Sequence, residues 1–316
     1  MVIQQSGDRD SRGGNAMRFA QLRYLEAALR TGSFRQAAKE LDISQPTITN
    51  QVQRLEEDLG VILVTRGTKG VRPTYAADRI MPHVVAAVQA ERMLREEASA
   101  ISGLKLGTVR LGTVPAGSQS ILPTVVKRLL TEFPNVRFEV DEGPSKMVVR
   151  GVLSGHFDVG LVTRLPGIEL TPAEDALIHH IDLVAGRLVL SVPEGHRLAG
   201  KDDFEPADLE GEALIFPAES SILRVAFERM LEGVEARIVY ATPNAEAAQA
   251  MVRAGVGICM ANTLLDSTIS GKGVALVPLP FEWARASTSA IVRKDEARSS
   301  AVQAFLRLLR EAAKTY

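Results

Sequence analysis

Gly32-Ser33-Phe34-Arg35-Gln36-Ala37-Ala38-Lys39-Glu40-Leu41-Asp42-Ile43-Ser44-Gln45-Pro46-Thr47-Ile48-Thr49-Asn50-Gln51-Val52-Gln53-Arg54-Leu55-Glu56-Glu57-Asp58-Leu59 reads as two short amphipathic helices about a tight turn. Ser33 is a good N-cap for the first, Phe34 to Leu41, which should bury Phe34, Ala37, Ala38 and Leu41. The paired alanines suit helices that cross at close range. Asp42-Ile43 forms the turn, and Ser44 caps the second helix with Pro46 in its first turn, where a missing N–H costs nothing. Ile48, Val52, Leu55 and Leu59 recur at helical spacing and should face inward. That leaves Gln45, Thr47, Thr49, Asn50, Gln53 and Arg54 outward or flanking. Asn and Gln pair bidentately with adenine, Arg with guanine, and Thr reaches a thymine methyl or a phosphate. A merely solvated face would normally be rich in Lys and Glu, yet Gln45 to Gln53 carries no charge.

Upstream, Phe19 to Arg30 has a helical apolar repeat (Phe19, Leu22, Leu25, Ala28, Leu29) ended by Thr31-Gly32. Downstream, Gly60 ends the reading helix. Val61–Val64 and Val71–Pro73 then bracket Thr65-Arg66-Gly67-Thr68-Lys69-Gly70, a hairpin with a basic tip, whose Arg66, Lys69 and Arg72 suit phosphates or a minor groove. An ordinary solvated turn accounts for the same residues. From Met17 to Tyr75 the surplus is three positive charges, against −1 for the whole chain. The surplus suits a compact reader used as a dimer, since each phosphate contact adds salt-dependent affinity.

Phe34-Arg35-Gln36-Ala37-Ala38, Leu41, Ser44 to Thr49, Gln51-Val52, Leu55-Glu56, Leu59-Gly60 and Arg66 together resemble the winged helix-turn-helix of LysR-type transcriptional regulators. The match runs in order over about sixty residues. Thr49 stands where serine is usual, Val64 where Phe is common, and Ala77-Asp78 where Ala-Gly is usual. The DNA-facing set expected on both grounds is Ser33, Arg35, Ser44, Gln45, Pro46, Thr47, Thr49, Asn50, Gln53, Arg54, Arg66, Lys69 and Arg72.

From Thr74 to about Ser102 one long helix is expected. Ile80, Val84, Ala87, Glu91, Leu94, Ala98 and Ile101 form a coiled-coil seam with Glu91 as the misfit, so dimerisation follows unless the helix is a solvated spacer. Pro82 should kink this helix or delay its start. The resemblance implies the same linker and a tetramer built from two dimers.

Beyond Gly103 strands and helices alternate: strands at 108–114, 136–141, 158–162, 188–192, 213–216, 237–240, 256–260, 274–277 and 288–292, helices at 120–131, 146–154, 222–231, 246–253 and 301–313. Alternation implies mainly parallel sheets in an α/β architecture. Two such halves resemble the family's effector domain and, through it, periplasmic binding proteins. The expected organisation is a disordered leader 1–16, a winged helix-turn-helix 17–74, a linker helix 75–103 and an effector-binding domain 104–316. Subdomain I would take about 104–177 and 278–316, subdomain II about 178–277.

Clefts in such folds lie outside the carboxyl ends of strands. The candidates for effector contact are Pro115, Ala116, Gly117, Ser118, Gly143, Thr163, Arg164, Pro217, Ala218 and Asn244. Ser118 would sit near a helix start that receives an anion, or would simply cap it. Arg164 would pair with a carboxylate, or be an ordinary surface arginine. The small-molecule effector has no more specific identity than an organic acid, an aromatic or an amino acid derivative.

With 316 residues, 46% hydrophobic and 24% charged, the chain has an ordinary globular composition. Its one cysteine, Cys259, excludes an intrachain disulfide and a multi-cysteine zinc site, and reads as a buried small hydrophobe. No apolar run approaches a membrane span or a secretion segment, so the expected location is the cytoplasm. Enzymatic signals are at background. Ala254-Gly255-Val256-Gly257 leads into a strand, Gly117-Ser118-Gln119-Ser120 lacks the second glycine of a nucleophile elbow, and His179-His180 has no metal-ligand spacing. No catalytic residue, metal or cofactor is expected. The expected function is that of a sequence-specific DNA-binding regulator modulated by a small molecule. The rival is a cytoplasmic binding protein or enzyme on the same α/β fold.

Overall fold

A computed structural model of the chain describes residues 17–67, 70–101, 107–168, 170–265, 271–294 and 298–315. The leader 1–16 expected to be disordered, and Thr68 and Lys69 of the wing tip, lie outside the described residues. The chain forms two compact units that divide between Arg92 and Met93.

In the first unit α1 (Phe19–Thr31), α2 (Phe34–Glu40) and α3 (Gln45–Leu59) precede the hairpin β1 (Val64–Gly67) and β2 (Gly70–Pro73), and α4 (Tyr75–Ile101) follows. Each start has a chemical cause. Ser33 Oγ accepts the Gln36 N–H at 3.3 Å and Ser44 Oγ accepts the Thr47 N–H at 3.2 Å. Leu22, Leu25, Phe34, Ala37, Ala38, Ile48, Val52 and Leu55 share one buried core, the two alanines letting α2 come close. Leu41 is only half-buried, and Leu59, expected inward, is 39% exposed because it lies in the last turn, beyond the reach of the core.

The wing strands also run nearer the tip than expected. Val64 pairs with Pro73 and Gly67 with Gly70, so Thr65 to Gly67 are ladder rather than loop. The cause is Glu56, whose Oε1 accepts both the Leu63 N–H at 2.7 Å and the Val64 N–H at 3.0 Å and keeps Val61–Leu63 out of the sheet. Thr74 closes the other side, donating its hydroxyl to Ile62 O at 2.7 Å and accepting the Ala77 N–H at 3.1 Å as the cap of α4.

Helix α4 contains Pro82 without any delay of its start. Its seam has two halves. Val84, with Ile80 and Ala87 beside it, packs on the core of the first unit, so this stretch has a partner in its own domain, contrary to expectation. Leu94, by contrast, is 71% exposed.

The second unit runs β3 (Thr108–Thr113), α5 (Pro115–Gln119), α6 (Leu122–Glu132), β4 (Arg137–Glu142), α7 (Ser145–Leu153), β5 (Val159–Arg164), α8 (Pro172–Leu177) and β6 (Ile178–Pro193). It continues with β7 (Ala213–Pro217), α9 (Ile222–Met230), β8 (Arg237–Thr242), α10 (Ala245–Arg253), β9 (Ile258–Asn262), β10 (Val274–Pro278), β11 (Arg285–Arg293) and α12 (Ser300–Ala313). One sheet has the order β4-β3-β5-β11-β6-β9-β7-β8, with β10 also paired to β6. Parallel pairing is confined to the two flanks, β4-β3-β5 and β9-β7-β8; the centre is antiparallel.

That antiparallel centre is where the expectation of mainly parallel sheets fails. The sixteen-residue strand β6 serves both lobes. Its first part pairs with β11 from Ile178 onward, and Leu188 to Pro193 pairs with β9 and β10. Ala284 and Ala286 already belong to the second lobe's core, so both crossings lie inside strands near 184–188 and 284–288 rather than at 178 and 278. The expected helix 120–131 is present as α6, with Pro123 in its first turn, and a short helix that was not expected, α5, opens before it at Pro115.

Gly70 holds the wing against the α1–α2 turn. Its φ is +93°, and a Cβ there would lie 2.5 Å from Gly32 O, the carbonyl that accepts the Val71 N–H at 2.8 Å. Gly70→Ala should therefore weaken this seam by about 1–3 kcal/mol and speed hydrogen exchange of the Val71 amide about 5–150-fold. Unaltered protection of that amide would contradict the packing.

Candidate functional site

Two sites emerge, one in each unit. On α3 the buried residues Ile48, Val52 and Leu55 fix the rotation of the helix about its axis. The opposite side is the predicted reading face. Ser44, Gln45, Pro46, Thr47, Asn50, Gln53 and Arg54 are all exposed, and Thr49 is half-buried at the margin. No ionisable group stands between Ser44 and Arg54, so the face offers amides and hydroxyls alone. Arg35 on α2 and Arg72 on β2 are exposed, whereas Ser33 is half-buried and committed to its cap. Arg66 lies on β1, its side chain outside the described residues. The acids at the far end are not idle, since Glu56 ties α3 to the wing.

In the second unit a cavity of about 410 Å³ opens between the two lobes. It lies at the carboxyl ends of β3, β4, β5, β7, β8 and β9, where the topology places a cleft. Of the predicted residues, Pro115, Ala116, Gly143, Thr163, Pro217, Ala218 and Asn244 line it. Three do not. Gly117 is buried beneath the cavity wall, where a Cβ would meet Thr113 Oγ1 at 2.7 Å and Leu161 Cβ at 3.0 Å, so it permits close packing of α5. Ser118 lies inside the short helix α5 instead of at a helix start, with its Oγ 3.5 Å from Val114 O. Arg164 follows Thr163 on β5 and so points to the opposite face, 3.5 Å from Asp182 Oδ1 and 44% exposed.

Residues not foreseen complete the walls. Ile215, Phe216, Met260 and Leu265 make the apolar side, and Ser145, Ser221 and Asn262 add polar groups. Asn262 was findable: the carboxyl-end rule applied to β9 reaches it once that strand is seen to extend past Met260. Helices α7, α9 and α10 all begin at the cavity. Ser221 Oγ accepts the Leu223 N–H and Asn244 Oδ1 accepts the Ala247 N–H, capping α9 and α10. The N-cap position of α7 is Pro144, which supplies no such side chain. Among the described residues that line it, Glu142 is the one that carries a charge, and none is a lysine or arginine.

Cys259 also borders the cavity, 2% exposed. Gln249 Nε2 donates to its sulfur at 3.4 Å, and Ser191 Oγ donates to Gln249 Oε1 at 2.7 Å. Burial pushes the thiol up to about 12, against a smaller opposing effect from Ser191. His180 Nε2 lies 2.7 Å from Asp175 Oδ1. Among the described residues no group of three or more His, Cys, Asp or Glu side chains is arranged to hold a metal ion, and no helix is long and apolar enough to cross a membrane.

A helix-turn-helix with a wing and a two-lobed cavity domain is a specific combination, and comparison with known proteins agrees with it. Residues 19–78 match the bacterial regulatory helix-turn-helix proteins of the lysR family, and residues 102–314 match the LysR substrate binding domain. The uncharacterized HTH-type transcriptional regulator YwbI of Bacillus subtilis is 30% identical over 90% of this chain and 92% of its own length. The transcriptional activator protein LysR of Escherichia coli is 30% identical over 90% of each chain. Among solved structures, full-length CbnR complexed with its target DNA superposes with a TM-score of 0.54 at 24% identity, over 94% of this chain and all of that one. The chain is thus a member of the LysR family of transcriptional regulators, a DNA-binding protein and not an enzyme.

Proposed function

We propose that this regulator couples a small effector in the cavity of its second unit to the DNA contacts of its first. The observation that carries the reading is the charge-free polar face of α3, held outward by a fully buried aliphatic seam. Gln45, Thr47, Thr49, Asn50 and Gln53 would meet base edges in the major groove. Ser33, Arg35, Ser44, Pro46, Arg54, Arg66, Lys69 and Arg72 would set the register on phosphates and the minor groove. In the cavity, the effector would bear on Pro115, Ala116, Gly143, Thr163, Pro217, Ala218 and Asn244. Among the described residues, β6 and the start of β11 are the strands shared by both lobes, so a ligand that touches both lobes has a narrow hinge to act on. It shifts the balance only by its difference in affinity for two arrangements.

Two features support assembly of several copies. The outer half of α4 presents Leu94 to solvent, and the edge strands β4 and β8 expose Val140 and Ile238. Unpaired edges with apolar side chains favour pairing with another chain. A dimer, and a tetramer of two dimers, would place readers on successive half-sites. Footprinting on the gene's own upstream region, with and without small molecules, tests the whole reading. A footprint at no fragment at low salt would overturn it.

Base reading and phosphate anchoring separate in titrations. Asn50→Ala should cost about 1–3 kcal/mol on the preferred site and little on random DNA. Arg72→Ala should weaken all sites alike and lower the salt slope by about one. Equal behaviour of both variants in fluorescence-anisotropy titrations would contradict the assignment.

Cys259 should take no part in sensing. With the thiol held near 12, the thiolate fraction at pH 8 is about a thousandfold below that of a free cysteine. Alkylation of the native protein should be slower by about that factor and become rapid on unfolding. Fast modification of the folded chain would refute the burial.

A further inference from the structure

The cavity holds polar groups that the protein itself leaves unspent. Thr163 is 7% exposed and Asn262 only 2%. The Thr163 hydroxyl has no hydrogen-bond partner among the described residues, although it lines the cavity. Asn262 Oδ1 accepts the Leu264 N–H at 3.0 Å, which fixes the amide and leaves its NH₂ donor without an acceptor there. Buried polar groups are ordinarily satisfied, so donors left over in a cavity wall point to a ligand that accepts from them.

The end of β4 and the start of α7 add two charged-group preferences three residues apart. Helix α7 has nine residues, begins in the cavity, and has no side-chain cap. Its first residue, Ser145, has a buried hydroxyl with no partner. This end of the helix favours an anion through free N–H groups and its dipole. Just before it, Glu142 borders the cavity and forms no ion pair among the described residues. An anion and a cation are therefore favoured side by side. Opposite lie Ile215, Phe216, Met260 and Leu265, which offer no charge. With no lysine or arginine among the described lining residues, a second anionic group on the ligand would meet no countercharge there and would face Glu142.

We propose that the effector of this regulator is an apolar α-amino acid. Its carboxylate is received at Ser145 on the start of α7, its ammonium group by Glu142, and its side chain by the Phe216–Met260 wall. A carboxylate and an ammonium group on one carbon match neighbouring sites three residues apart in the chain. A dicarboxylate or an aliphatic amine matches only half of them. The cavity of about 410 Å³ is at the small end of ligand sites, with room for such a molecule and water. The assignment rests on the cavity being the effector site.

Calorimetry on the full-length protein tests it. L-leucine, L-phenylalanine and L-methionine are titrated beside their deaminated acids and decarboxylated amines. At least one amino acid should bind, at least tenfold more tightly than either of its single-charge analogues. Glu142→Gln should weaken that amino acid about tenfold, closing the gap to its acid, and Thr163→Val should weaken both. An acid that binds as well as its amino acid, indifference to Glu142→Gln, or no binding by any of the three amino acids overturns the proposal. Ala218→Phe, which fills the cavity, separates the two levels. Acid binding abolished by it keeps the cavity as the effector site while removing the amino acid, whereas ligand binding that survives it removes the cavity itself.

Discussion

The burial of Ile48, Val52 and Leu55 against α1 and α2 is the contact on which the reading face depends. Each of these side chains is worth about 1.5–3 kcal/mol when taken out of water. Together they leave α3 one rotational setting. In that setting Gln45, Thr47, Asn50 and Gln53 are turned outward, with Thr49 at the margin. The alanines of α2 let that helix approach, and Glu56 fastens the far end of α3 to the wing. The outward setting of this polar face is thus a by-product of an aliphatic seam.

A different constraint governs the second unit. Two lobes with parallel flanks are joined through antiparallel strands, and the cavity occupies the place where the carboxyl ends of those flanks face each other. Helix starts from both lobes meet there, α7 from one and α9 and α10 from the other. The protein caps α9 and α10 with its own side chains and leaves α7 uncapped, and that difference gives the cavity a polarity with no basic residue among its described lining residues.

Local chemistry made most of the reader legible from the sequence. Caps at Ser33 and Ser44, the helix end at Gly60 and the inward triad on α3 all follow from rules of spacing within a few residues. What escaped depended on distant partners. The structural role of Glu56 escaped because the donors it accepts from, the Leu63 and Val64 N–H groups, reach it only once the chain turns back. The early seam of α4 looked free for a second copy, yet half of it serves the first unit's own core. In the cavity the strand-end rule found Thr163 and Asn244, while strand alternation sent Arg164 to the other face. Ser118 was misplaced because Pro115 opens a short extra helix, α5, ahead of the expected one. The first half of β6, with its histidines and Asp182, carries too little apolar alternation to announce a strand that crosses between lobes.

Photo-cross-linking from α3 to operator DNA measures the central claim most directly. A benzophenone side chain placed at position 50 faces the proposed groove, and one at position 58 occupies the acidic far end of the same helix. The account predicts cross-links to bases from position 50 and none from position 58. Cross-links from position 58 with none from position 50 would show that another surface of the protein meets the duplex.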